Sequence, residues 1–305
     1  DLLYNYTVPV PPFTYENLLA NMGEMSNHGL EIGIRGDVIK TKDFTFNSGL
    51  NLSFQSNQLN SLSGNYKGQE LTTSEHIQVA RINAAGLTQN YGVTYLIEGQ
   101  PIGVFYLPHC EGIDKDGKYI ISDLDQNGTV DTGDSGDRQV CGQAIPKAYL
   151  GWDFTFSYKN WSLAMQFNGA FGHKIFNGTS MTYSDLSNFP TYNVLADAPA
   201  RGIKNKVISD YWLENGDYVN FEYLQLSYTF NKQQLKTKYI QNIKLGLAVN
   251  NVCTITGYSG LTPMINSASL VQQAEGTTTY GTLGVDDKRI YPLTRTFSFN
   301  VGITF

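Results

Sequence analysis

Residues 294–305 read TRTFSFNVGITF. Phe297, Phe299, Val301, Ile303 and Phe305 are bulky and apolar, while Thr296, Ser298, Asn300, Gly302 and Thr304 between them are small or polar. Successive side chains of a β-strand point to opposite faces, so this stretch predicts a strand with one apolar and one polar side. The alternation recurs in GLEIGIRGDVI (29–39), DFTFNSGLNLSF (43–54), GWDFTFSY (151–158), WSLAMQFNGAF (161–171), YLQLSYTF (223–230) and IKLGLAV (243–249). Two shorter runs, YGVTYLIE (91–98) and PIGVFYLPH (101–109), bring the expectation to nine strands, over 29–39, 43–57, 88–98, 102–112, 147–158, 161–172, 217–230, 241–254 and 294–305.

Connections between these strands alternate in length. KTKD (40–43), EGQP (98–101), KN (159–160) and a modest turn over 231–240 are short, whereas 57–88, 113–146, 173–216 and 254–293 are long. Structureless loops above roughly 15 residues are uncommon in compact soluble domains. Long loops at one end and tight turns at the other are the pattern of an outer-membrane barrel, with short periplasmic turns and long external loops. On this reading residues 1–28 begin outside and Phe305 arrives at the periplasm. Aromatics near the short turns, Phe44, Tyr158, Trp161, Phe230, Tyr239 and Phe305, suit the belt that sits between hydrocarbon and headgroups. Nine strands leave two open edges, which lipid does not tolerate, so residues 1–305 are expected to form the carboxy-terminal portion of one larger all-β, antiparallel transmembrane barrel. Half-buried strands of a soluble sheet would alternate in the same way, but the loop lengths and the final aromatic weigh against them.

Composition agrees with this class. Charged residues make up 16% of the 305, against a usual quarter or so, and aromatics reach 13% with 20 Tyr. No apolar run approaches the roughly 20 residues of a spanning helix. The net charge of −6, with no Lys/Arg cluster along the sequence, argues against a nucleic-acid or anionic-lipid partner. The sequence opens on DLLYNYTVPVPP without a signal-peptide pattern, and targeting information is expected to lie outside it.

One constellation has metal-ligand spacing. In DLDQNGTVDTGD, oxygen donors fall at positions 1, 3, 5, 7, 9 and 12: Asp123, Asp125, Asn127, the Thr129 carbonyl, Asp131 and Asp134. Gly128 stands at position 6, where the loop turns sharply, and Val130 at position 8 is suited to anchor it to a core. A structural Ca²⁺, or Mg²⁺, is the expected occupant, though no helices flank the loop and position 12 lacks a bidentate Glu. A solvated acidic turn is the plain alternative. Cys110 and Cys141 bracket the loop, and in an oxidising compartment a disulfide between them, or two unpaired thiols, are both open. Cys253 is then a free thiol, expected to be buried. His28, His76, His109 and His173 accompany no nucleophile motif and read as surface residues, so no enzyme is expected.

Several stretches carry a family resemblance. NMGEMSNHGLEIGI (21–34), EGQPIGVFY (98–106), DLDQNGTVDTGD (123–134), YWLENGDYVNFEYLQLSYTF (211–230), NNVCTITGYSGLTP (250–263) and YPLTRTFSFNVGITF (291–305) resemble, in order, signatures of the SusC/RagA family of TonB-dependent outer-membrane transporters of Bacteroidetes-type bacteria. The resemblance spans essentially the whole chain. It implies a barrel of about 22 strands, of which these would be about the last nine; the plug domain and the amino-terminal strands are not in this chain. It implies multi-pass residence in the outer membrane and import of a bulky nutrient. The cargo would be a glycan oligosaccharide, or alternatively a peptide, delivered with a SusD-like lipoprotein lid and driven by the TonB complex. A dimer of transporter–lipoprotein pairs fits the same resemblance. Phe297, Phe299, Val301 and Phe305 resemble the signal read by the barrel-assembly machinery. Departures are Cys253 in NVCTIT, and Thr262 and Met264 in GLTPM, which put in doubt any acidic contact made there. A non-transporting surface adhesin is the alternative from another class.

With the apolar faces toward lipid, Asn47, Asn51, Gln55, Asn168, Gln225, Lys244 and Asn300 would line the lumen, and loop tyrosines such as Tyr183, Tyr192 and Tyr280 could stack on a ligand. No substrate-binding residue is assigned.

Overall fold

The structure, a computed structural model, describes residues 2–305 except 9, 12, 67, 72, 83–91, 134–135, 266–271, 275–276, 280–281 and 289. Eight antiparallel strands form one sheet in chain order: β1 (Leu2–Thr7), β2 (Asn17–Lys40), β3 (Phe44–Ser61), β4 (Ala148–Tyr158), β5 (Trp161–Phe171), β6 (Tyr218–Asn231), β7 (Asn242–Thr256) and β8 (Thr296–Thr304). Each strand pairs with its sequence neighbour in this list, which is the meander a barrel wall requires. Among the described residues no helix is long and apolar enough to cross a membrane, which says nothing of a crossing by strands.

Register does what the alternation demands. One row across the wall reads Ile39, Phe46, Phe156, Leu163, Leu226, Leu247 and Phe299, each the direct partner of the next. An adjacent row on the other face reads Asp37, Asn47, Thr155, Ala164, Gln225, Ala248 and Ser298. In a water-soluble sheet the first row would be covered. Here Leu247 is 61% exposed and Phe299 64%, while Ala248 between longer polar neighbours is 4% exposed. The apolar face therefore calls for an apolar solvent. Rings pack along it from strand to strand: Phe46 stacks on Phe156 with centroids 4.5 Å apart, and Phe167 on Phe221 at 4.4 Å. Trp161 and Tyr228 meet edge to face at 4.8 Å beside the short turns, where the aromatic belt was expected.

The structure corrects the expected strand list in three places. Residues 92–97 and 104–107 are strands, but of a separate four-stranded sheet ordered 139–143, 104–107, 92–97, 76–81. Their six and four residues cannot cross hydrocarbon, which takes roughly 9–11. Both their faces are buried, which explains their near-continuous apolar sequence. Residues 88–91 of that expectation lie outside the described residues. The EGQP turn is accordingly not periplasmic. It docks on the far end of β3, where the Leu59 amide donates to the Gln100 carbonyl at 2.9 Å and the Gly99 amide donates to the Leu59 carbonyl at 2.8 Å. Thirdly, residues 2–7 and 17–28, where no strand was expected, are strand: β1 pairs with the outer part of β2, Leu2 opposite Gly23 and Thr7 opposite Asn17.

Nor are the long connections structureless. Described residues of the connections 62–147, 172–217 and 257–295 share one hydrophobic core that includes Ile82, Phe105 and Leu107 from the first, Phe176, Ile203 and Trp212 from the second, and Leu283 and Val285 from the third. Strand 174–177 pairs antiparallel with 213–215 and parallel with 285–286. Thr94 Oγ1 donates to the Leu283 carbonyl at 2.8 Å, stitching the first connection to the third. This layer leans over the lumen side of the wall. Gln55 and Asn57 share the polar face of β3, and Gln55 Nε2 donates to the Pro146 carbonyl at 2.8 Å while Asn57 Oδ1 accepts from the Ile102 amide at 2.7 Å. Burial of its apolar residues, each contributing on the order of 1.5–3 kcal/mol, makes the layer a folded cap rather than a fringe of loops.

Leu247→Arg places a charge in the middle of the apolar face. It is expected to destabilise the full-length protein in lipid vesicles by about 2–4 kcal/mol in urea titrations, whereas Ala248→Ser, its neighbour on the other face, should change stability by less than about 1 kcal/mol. Equal effects at the two positions would place the faces the other way or deny a bilayer altogether.

Candidate functional site

The polar face of the wall is organised by ion pairs and amides. Arg35 on β2 and Asp153 on β4 form a salt bridge that passes over β3 at Gly49. A Cβ at Gly49 would lie 2.7 Å from Asp153 Oδ1 and 2.8 Å from Arg35 Nη2, so only glycine leaves room for the pair. Asp37 accepts from Lys40 Nζ and from Asn47 Nδ2, each at 3.0 Å. Asn168 Nδ2 donates to Glu222 Oε2 at 2.7 Å. The expected lumen residues Asn47, Asn51, Asn168, Gln225 and Asn300 do share this face, with Gln55 engaged by the cap. Where the cap meets β3 a polar cleft of about 410 Å³ opens, lined by Ser63, Thr73, Ser74, Glu75, His76, Ile97 and Glu98. His76 lies flat on Tyr106 with ring centroids 4.3 Å apart, giving the cleft an aromatic border. Tyr183 sits half-buried in a short helix of the cap, Tyr192 is exposed, and Tyr280 lies outside the described residues.

The acidic loop is turned by its own side chains. Asp123 accepts from the Gly128 amide at 2.8 Å and Asp125 from the Asn127 amide at 3.0 Å, while Gly128 takes a φ of +85° that favours glycine. Asp123 and Asp125 are brought together with Asp137, one carboxylate oxygen of each lying within 4.8 Å of the others. Asp137 was not among the residues picked from spacing, and Asp134, which was, lies outside the described residues. Asp137 is buried, and amides of Asp131 at 2.8 Å, Asp125 at 3.2 Å and Leu124 at 2.7 Å hold its carboxyl below the usual range and therefore ionised. Three carboxylates converging in this way suit a hard divalent cation, which would offset their repulsion. Asn127 Oδ1 instead faces Thr129, accepting from its hydroxyl and amide, and Asp131 Oδ1 accepts from the Gly133 amide. Val130 is exposed and anchors nothing.

Among the cysteines and histidines, Cys253 and His173 depart from expectation. Cys110, Cys141 and Cys253 are all free thiols in the structure. Cys110 Sγ turns to the Gly112 carbonyl at 3.2 Å and Cys141 Sγ to that of Gln139 at 3.3 Å. Burial pushes the Cys141 thiol up to about 12, which leaves it unreactive near neutrality. Cys253 is exposed rather than buried, because it lies opposite Phe221 on the apolar face. His173 is not a surface residue: it is 7% exposed, its Nδ1 has no hydrogen-bond partner among the described residues, and burial lowers its pKa. His109 pairs with Asp210 at 2.6 Å, and Asp210 also caps the Cys110 amide at 2.8 Å. The hydrogen bond and charge of Asp210 raise the His109 pKa. Its contribution is then complete below about pH 6.5, the unfolded value, and lost as pH rises through the higher folded value. Hydrogen exchange of strand 110–113, corrected for intrinsic rate, should be slower at pH 6 than at pH 8 by up to about fivefold, and Asp210→Asn should abolish the difference.

An antiparallel wall with apolar rows on one face, amides and ions on the other and a folded cap over one end defines a transmembrane β-barrel protein. No protein-family profile matches the chain. It is 26% identical to TonB-dependent receptor P3 of Formosa agariphila, over all of this chain and 31% of that protein. It is 25% identical to TonB-dependent receptor SusC of Bacteroides thetaiotaomicron, over 88% of this chain and 27% of that one. Among solved structures it resembles the RagAB peptide importer in its closed-closed state with a TM-score of 0.70 at 18% identity, covering 100% of this chain and 32% of that chain. The chain is a homologue of the TonB-dependent receptors, SusC among them, with the fold of a stretch of barrel, and it spans about a third of the length of the curated relatives it matches. These receptors are outer-membrane barrels, and the wall described here stands in the same membrane.

Proposed function

We propose that the full-length protein imports a bulky polar nutrient across the outer membrane in a TonB-dependent manner, working with a SusD-like lipoprotein, and that the present chain is the carboxy-terminal part of its barrel. The observation that carries this reading is the pairing of a lipid-compatible wall with a cap that folds over its polar side, in a chain homologous throughout to TonB-dependent receptors. β1 and β8 each lack a second neighbour among the described residues, and hydrocarbon does not satisfy open edges, so further strands belong beside them. The cargo is a glycan oligosaccharide. Hydroxyls of Ser63, Thr73 and Ser74, carboxylates of Glu75 and Glu98 and the His76–Tyr106 ring pair at the cleft are the groups that hydrogen-bond sugar hydroxyls and stack on sugar rings. A peptide is the second reading, favoured by the fold shared with a peptide importer. Phe297, Phe299, Val301 and Phe305, on the outward side of β8, serve as the barrel-assembly signal. A surface adhesin without a pore remains the reading from another class, and extraction into aqueous buffer without detergent would favour it.

Calorimetry of the intact transporter–lipoprotein complex with oligosaccharides and peptides of matched size tests the cargo. Saturable heat with oligosaccharides, weakened roughly tenfold by Glu98→Gln with His76→Ala, supports the glycan; heat with peptides alone replaces it. The acidic loop holds a structural Ca²⁺ through Asp123, Asp125 and Asp137. Asp125→Asn should weaken Ca²⁺ binding by about tenfold or more without altering the heat-dependent gel shift of the barrel. Unchanged Ca²⁺ binding in that variant would return the loop to a solvated turn.

A further inference from the structure

Lysines that are scattered along the sequence gather at one end of the wall. Residues 40–43, 159–160 and 232–241 close the three short connections and carry Lys40, Lys42, Lys159, Lys232, Lys236 and Lys238 against a single acid, Asp43. All six are exposed. In a chain with 27 acidic and 21 basic residues, this edge has the opposite sign to the whole. Lys40 is paired to Asp37 at 3.0 Å, and among the described residues no carboxylate lies within ion-pair distance of the other five. The expectation that no basic cluster exists held along the sequence but fails in space.

An apolar groove of about 630 Å³ on the outward face opens at this edge, lined by Trp161, Leu226, Tyr228, Phe230, Leu247 and Phe299. Trp161 directly follows the turn that bears Lys159, and Phe230 stands two residues before Lys232. The Lys159 ammonium lies 5.3 Å from the ring centre of Tyr158, which is itself exposed on the apolar face, so this cation sits on the lipid side of the edge. A groove for hydrocarbon ending in a row of ammonium groups matches one amphiphile, a fatty acyl chain joined to a phosphate. A zwitterionic headgroup would bring a cation of its own against the lysines.

We propose that the short-turn edge of the wall is a binding site for an anionic glycerophospholipid, its acyl chain in the groove and its phosphate among Lys159, Lys232 and Lys236. The proposal rests on the reading that the apolar face meets lipid. It goes beyond it by naming a headgroup charge and a position.

The test is native mass spectrometry of the full-length protein released from membranes in detergent, with phosphatidylglycerol and phosphatidylcholine of identical acyl chains added in turn. Retention of phosphatidylglycerol should exceed that of phosphatidylcholine roughly tenfold. Lys159→Gln combined with Lys232→Gln and Lys236→Gln should bring the two to parity, and Lys159→Gln alone, in a two-residue turn, should lower the preference if the triple variant does not assemble. Leu247→Trp, which fills the groove without adding charge, should reduce retention of both lipids. Equal retention by the unmodified protein, or a preference that survives the lysine replacements, overturns the site. So does displacement of the lipid by inorganic phosphate alone, which would assign the edge to free anions. A heat-dependent gel shift run on the same samples reports the barrel separately: its absence in the unmodified protein would strike the lipid-facing reading, whereas its presence without lipid preference would strike only the site.

Discussion

Phase between strands governs this molecule. In hydrocarbon every backbone amide and carbonyl needs a partner within the wall, and the same pairing must bring apolar side chains to one face along its entire width. A slip of one residue at β7 would turn Leu247 inward and Ala248 outward, together with every residue of that strand. Where the sequence breaks phase, the backbone restores it. Glu222 would point into lipid if the alternation of β6 ran on uninterrupted. A bulge there lets Phe221 pair with Phe167 instead and turns the Glu222 carboxylate to Asn168. Val38 on β2 and the step past Asn251 on β7, where φ is +52°, absorb residues in the same way.

The strands that this rule constrains were legible in the sequence, because lipid and water on opposite faces impose strict alternation on Phe44–Phe54, Trp152–Tyr158 and Phe297–Phe305. The two segments misplaced as wall strands had a different reason for being apolar. Val93, Tyr95, Val104 and Phe105 are enclosed by the cap on both sides, and one-sided and two-sided burial look alike over four to six residues. The outer part of β2, Asn17–His28, escaped the search for wall strands because Leu18 and Ala20 pack on a small core with Tyr6, Val8 and Leu71 rather than continuing the outward apolar row. The 24 residues of β2 as a whole far exceed a membrane span.

At the acidic loop, spacing found Asp123 and Asp125 but missed Asp137, which joins them from beyond the window through bonds to the amides of Leu124, Asp125 and Asp131. Asn and Asp side chains that accept from amides two residues on are a local signal, and a buried carboxylate closing the loop from thirteen residues away is not. His173 was equally hidden. Its burial depends on Gly216, whose missing Cβ leaves room for the ring, and nothing near position 173 announces it. Charge at the short-turn edge escapes a linear scan for the same reason: its members lie in three separate turns and become neighbours only when the wall is built.

The core of the cap has an order of completion written into it. Leu283 and Val285 come from the connection that immediately precedes β8, yet they pack with Phe105 and Phe176, which come from two connections made long before. Until the connection between β7 and β8 is in place, the earlier segments lack the residues that cover them. Packing of the outer layer is thereby tied to residues that follow β7 in the chain, so the two earlier connections cannot complete their core on their own.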